Sequence, residues 1–288
     1  FNIDGIKESF NLTNAYAGRL ISLEMISIAL GNFFFARITH KTNSKTVFFI
    51  GASVILFFNL LSILATEPLH LAFFRIPAGL ALGAVAATCA GRIAKSDKPD
   101  LNFGAINSAV GLMGVFMAFA LPRALNLDFP VTSSLRLTGI DGLYLVYGLC
   151  ALFALLVVSR TPSDQPKKFQ AQHKSSKALR IGWLALFGIG VMFFGHGTVG
   201  IFIVRIGREI GLSSENIGYI FMVGSSLGII LPLIAGWVGT KIKAFFPILI
   251  LVILLAVATL GLSNSNLPWQ YFLAVPIFAT LPTAIMPI

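Results

Sequence analysis

Apolar residues fill this chain in long unbroken runs, and polar residues crowd into the short gaps between them. The runs lie near residues 15–36, 46–64, 69–91, 102–122, 142–159, 181–204, 216–238, 245–263 and 269–288. None alternates in twos, and none is cut by a turn cluster. Each has about the 17–25 residues that a helix needs to cross bilayer hydrocarbon. The pattern predicts about nine membrane-spanning helices and argues against a barrel, whose strands alternate and are roughly half as long.

Composition agrees with that solvent. Hydrophobic residues make up 56% of the chain and charged residues 11%, against roughly 25% charged in a soluble domain. A soluble globule could not cover itself with so few charges. The net charge of +10 gains its meaning from placement. When the gaps are assigned alternately to two sides, fourteen Lys and Arg fall on one side and six on the other, leaving Arg75 inside a run. That asymmetry marks the richer side as cytoplasmic. It does not mark nucleic acid, because no polar segment is large enough to host a binding module. Cys89 and Cys150 both lie within predicted helices and read as packing residues, not as a disulfide or metal site. The four histidines are scattered over loops and helices, so neither a metal constellation nor a cofactor is expected.

The chain also repeats itself. "LTNAYAGRLISLEMISIALGNFFFARITHK" (12–41) aligns without a gap on "LSSENIGYIFMVGSSLGIILPLIAGWVGTK" (212–241) at an offset of 200. Each copy has a Thr13 or Ser213 helix start, a glycine (Gly18, Gly218), an apolar helix, a small residue (Ala36, Gly236) and a lysine (Lys41, Lys241). The offset carries the next two runs onto 245–263 and 269–288, and "TEPLH" falls opposite "SNLPW" to within a residue. It also predicts that a helix precedes residue 1, with its tail on "FNIDGI", and that two more follow residue 288. The expected organisation is an all-α membrane protein of two six-helix pseudo-symmetric bundles. Residues 1–159 form the first, 160–180 a basic cytoplasmic linker, and 181–288 the second.

These residues resemble the major facilitator superfamily over the whole chain. The loop after that family's second helix usually reads G-x-x-x-D-[RK]-x-G-[RK]-[RK]. Here Ala36, Lys41 and Lys45 keep the small and basic positions, His40 replaces the acid and Asn43 the second glycine. The other copy offers Gly236 and Lys241, again without the acid. The fourth-helix pattern Arg-x-x-x-Gly-x-x-x-Gly appears as Arg75, Gly79 and Gly83. The resemblance implies secondary transport by alternating access, with the first, fourth, seventh and tenth helices lining a cavity near the midplane. Of these, 69–91, 181–204 and 269–288 are represented. Gly111 and Gly114 stand in the fifth helix, without the Gly-Pro pair of many drug/proton antiporters.

Inside the runs, three ionisable residues stand out: Glu24, Arg75 and His196. Each costs several kcal/mol if it faces lipid. Counted from the outer helix ends, all three lie at roughly 10–14 Å depth, which suggests one polar site for substrate or protons. Ala17, Ser27 and Gly31 share a helix face with Glu24. Glu24 pairs with Arg75 to hold the first bundle together, carries a proton or contacts substrate, or points into the interfacial zone. Arg75 contacts an anionic substrate, couples to Glu24, or plays a structural part. His196 lies between Gly195 and Gly197, with Gly200 close by. It is either a proton or substrate group or a core histidine bonded between helices. Gly79, Gly195, Gly197, Thr198, Gln270 and Tyr271 are the candidates for lining the cavity, and Pro276, Pro282 and Pro287 for bending the last helix. The expected activity is transport of a small organic solute across the cytoplasmic membrane, coupled to protons, by a monomer embedded in lipid. The alternative is an uncoupled facilitator or an exporter of the same fold.

Overall fold

The computed structural model describes residues 2–38, 41–130, 136–163, 176–239, 241 and 245–285. All nine apolar runs are helices: α2 (Asn14–Ile38), α3 (Ser44–Ile63), α4 (Pro68–Ile93), α5 (Pro99–Leu125), α6 (Ile140–Arg160), α7 (Ser176–Glu209), α8 (Ser214–Gly239), α9 (Phe245–Ser263) and α10 (Pro268–Ile285). A short α1 (Asn2–Phe10) precedes them. Eight helices among the described residues are long and apolar enough to cross a membrane; α10, with 18 described residues, is not one of those eight. Helix α7 has 34 residues, longer than its apolar run. The run marks only the apolar stretch, and good helix formers such as Lys177 and Arg208 carry the helix beyond it. Helix α10 continues through Pro276 and Pro282.

A two-stranded ribbon was not legible in the sequence. Strand β1 (Asp128–Pro130) pairs antiparallel with β2 (Arg136–Thr138), with Phe129 opposite Leu137. Three-residue strands are too short to show alternation.

The repeat is visible in backbone detail. Asn11 (φ 50°) and Gly211 (φ 85°) both adopt the left-handed conformation just after a helix. Leu12 N–H donates to the Lys7 carbonyl at 2.9 Å, and Leu212 N–H to the Gly207 carbonyl at 3.0 Å. This is the same six-to-one helix stop in both copies. Thr13 Oγ1 then accepts from Tyr16 N–H at 3.3 Å, and Ser213 Oγ from Asn216 N–H at 3.2 Å, which is the same N-cap. Pro68 opens α4 and Pro268 opens α10, at the first-turn position where proline loses no helical bond.

The chain divides into two compact units. The first holds Phe1–Ser96 and Ala120–Phe169; the second holds Asp97–Phe119 and Gln170–Ile288. In the first, α2 lies against α4, and α3 against α4 and α6. The α2–α4 contact is built from missing side chains. A Cβ on Gly83 would land on the Ile28 carbonyl, and one on Gly31 would land on the Leu80 carbonyl. In lipid, where hydrophobic force between helices vanishes, such close backbone approach is what binds them. In the second unit α10 packs on α8 and α9. The first part of α5 joins this unit because Gly104 and Gly111 let it approach Pro232 and Gly228 of α8. Large apolar side chains point outward, among them Phe73 (63% exposed), Phe153 (64%) and Leu260 (65%). That is the surface expected where the solvent is hydrocarbon.

Gly83→Leu is expected to force α2 and α4 apart and cost about 1–3 kcal/mol or more. Gly195→Ala, whose Cβ meets nothing within 4 Å, is expected to be neutral or slightly stabilising. Thermal unfolding of the purified variants checks this; equal shifts for the two would contradict the packing described.

Candidate functional site

The first unit buries an ionic cluster fed by four helices. Helix α2 directs the face carrying Ala17, Ser27 and Gly31, all buried, toward α4, and Glu24 comes with it. Arg75 Nη2 donates to Glu24 Oε1 in a direct ion pair, with side-chain exposures of 11% for Arg75 and 16% for Glu24. Arg75 Nη1 donates to Asn59 Oδ1 of α3 at 2.7 Å. The Arg75 guanidinium carbon lies 5.2 Å from the centre of the Tyr144 ring of α6, within cation–π range. Asn59 and Tyr144 are themselves buried, and the Arg75 Nε–H has no hydrogen-bond partner among the described residues. Glu24 and Arg75 are thus directly paired. Sequence reasoning missed Asn59, although a lone amide inside "SVILFFNLLSIL" was the available signal. Nothing in the sequence marked Tyr144.

His196 belongs to the second unit. Its ring stacks on Phe278 of α10, with centroids 4.3 Å apart and planes at 22°. Its Nδ1 is buried and without a hydrogen-bond partner among the described residues. Gly195 and Gly197 are exposed, and a Cβ on either would meet nothing within 4 Å. The idea of one pocket joining Glu24, Arg75 and His196 spans two units, so each is placed within its own.

Three cavity-lining candidates also take part in helix packing and capping. Gly79 is buried, its Cβ position 2.9 Å from the Glu24 carbonyl oxygen, so it serves the α2–α4 crossing. Tyr271 is wholly buried and donates its hydroxyl to the Ile203 carbonyl at 2.9 Å, tying α10 to α7. Gln270 Oε1 accepts from Asn266 and Leu267 N–H at 2.9 and 3.2 Å, which caps the start of α10. The Thr198 side chain lies outside the described residues, as does His40.

The loop signature acts as a clamp within the first unit. Asn43 caps α3 by accepting from Lys45 N–H at 2.9 Å. Lys45 Nζ donates to the Ser159 and Thr161 carbonyls at 3.1 and 2.7 Å, placing a cation at the negative end of α6. In the second copy the ammonium of Lys241 lies 4.9 Å from the Trp237 ring centre. Gly236 admits α5, its Cβ position 2.9 Å from the Asp100 carbonyl oxygen. Ala36 is exposed, and Lys41 N–H closes the end of α2 on the Ile38 carbonyl at 2.9 Å.

These helices, the repeat and the loop agree with a direct sequence comparison: the Major Facilitator Superfamily profile matches residues 1–287. The chain belongs to the major facilitator superfamily. No curated protein matches it individually. Members of this superfamily are transporters that move small solutes across membranes, and this transporter is an integral, multi-pass membrane protein. Among the described residues of the transporter, no group of three His, Cys, Asp or Glu is placed to hold a metal.

Asn59→Leu separates this account from simple hydropathy. Hydropathy alone expects stabilisation when an amide in a spanning helix becomes leucine. The cluster predicts the reverse, a loss of about 1–3 kcal/mol, because Arg75 is left with an unsatisfied buried donor. The thermal midpoint of the purified transporter decides between them.

Proposed function

We propose that this transporter moves a small organic solute across the cytoplasmic membrane by alternating access, as a monomer, and couples the movement to protons through His196. The observation that carries the proposal is the imidazole itself. A histidine inside a membrane-spanning helix, with its buried Nδ1 unpartnered among the described residues and glycine before and after it, is a titratable group whose ring nitrogen is not committed to a structural hydrogen bond. Glu24 plays the other part in this reading. Its carboxylate is already engaged by Arg75, so the pair serves as the fixed frame of the first unit.

The closed Glu24–Arg75 pair also favours a second reading, an uncoupled facilitator or exporter, because, of Glu24, Arg75 and His196, it leaves His196 alone to accept a proton. Proteoliposomes separate the two. Under an imposed pH gradient, a panel of labelled organic solutes is tested for accumulation by the wild type and by His196→Ala. Accumulation that follows the gradient in the wild type is the expected result. The variant is expected to lose it while retaining exchange of labelled for unlabelled solute. Wild-type uptake indifferent to the gradient would contradict proton coupling and leave the facilitator.

A further inference from the structure

The two copies of the repeat differ in one place that the transport mechanism does not use. In the first copy Phe58 of α3 and Phe74 of α4 pack against each other, with ring centroids 6.5 Å apart. At the offset of 200, alanine occupies both positions, Ala258 of α9 and Ala274 of α10. Where the two rings would stand there is a cavity of about 370 Å³, lined by Ala258 and Ala274 together with Leu254, Asn264, Trp269 and Gln270 among others. That volume lies within the roughly 300–1,000 Å³ of ordinary ligand pockets.

We infer that this cavity holds one acyl chain of a membrane phospholipid. The first copy indicates which way the face points. There α6 meets α3 beside Leu56, Asn59 and Leu60, and the other face keeps Phe57 and Phe73 57% and 63% exposed. The equivalent face of α9 and α10 keeps Val257 and Leu273 60% and 56% exposed in the same manner. From Leu254 to Asn264 the cavity follows α9 for about 15 Å, which is half of the roughly 30 Å hydrocarbon thickness and so the depth of one leaflet. Its inner part is apolar, and its outer end carries Asn264, Trp269 and Gln270. Trp269 and Gln270 bring N–H donors to the level where ester carbonyls lie, the usual place of interfacial tryptophan. None of the lining residues is charged, so the site reads the chain and not the charge of the headgroup.

Trp269 is its own reporter. In the full chain carrying Trp183→Phe and Trp237→Phe, purified in detergent, phosphatidylcholine with brominated acyl chains is titrated while Trp269 fluorescence is followed. Quenching that saturates at a single lipid per chain, equally with brominated phosphatidylglycerol, is expected. Filling the cavity with Ala258→Phe and Ala274→Phe is expected to reduce the saturable quenching several-fold. Ala258→Leu alone, a milder change, is expected to reduce it in part, and it serves if the double variant does not fold. Quenching that rises without saturation, or that persists unchanged in a folded filled variant, would overturn the site and leave only bulk lipid contact.

Discussion

A guanidinium inside hydrocarbon has no water to turn to, and it cannot lose its charge. That constraint organises the first unit. Arg75 needs a carboxylate, an acceptor and a polarisable ring, and it takes each from a different helix: Glu24 from α2, Asn59 from α3 and Tyr144 from α6. A cluster of this kind fixes register as well as contributing energy. The four helices can slide past one another only by stranding a charge. The glycine contact of α2 with α4 brings the two backbones close enough for the pair to form, so packing and electrostatics support the same crossing.

The two copies share their punctuation and differ in their side chains. Helix stops at Asn11 and Gly211, caps at Thr13 and Ser213, and helix starts at Pro68 and Pro268 recur at the same offset. These positions dictate where the chain turns. The side chains that carry chemistry do not recur. Glu24 faces Gly224 in the alignment, and Arg75 faces Val275. The first copy thus holds the ion cluster, whereas the second has the uncharged Gly224 and Val275 at those positions and alanine at 258 and 274. One backbone plan supports a rigid charged core in one unit and an apolar, partly open one in the other.

Much of the architecture could be read from the sequence, because the bilayer imposes a long period on apolar residues and loops must carry the charge. The runs located every spanning helix. They did not give the ends of α7, because helix formation continues past the apolar run wherever residues such as Lys177 and Arg208 allow it. The ribbon of β1 and β2 was invisible for want of strand length. At the site, intramembrane charge pointed to Glu24 and Arg75 as a possible pair. The acceptor Asn59 and the ring of Tyr144 depended on which faces α3 and α6 turn inward, and helices apolar all round do not reveal that. Gln270 and Tyr271 are both polar near a helix end. Gln270 caps its own helix and lines the cavity beside α9, and Tyr271 bonds to α7.

The account stands on the coupling of Glu24 with Arg75, and a double-mutant cycle measures it. Glu24→Leu, Arg75→Leu and the double variant are compared with the wild type by thermal or denaturant unfolding in detergent. Each single change strands a partner, so the double variant is expected to lose less than the sum of the two, with a coupling of about 1–3 kcal/mol. Additive losses within error would show that the two side chains do not depend on each other, and would contradict the pair as the frame of the first unit.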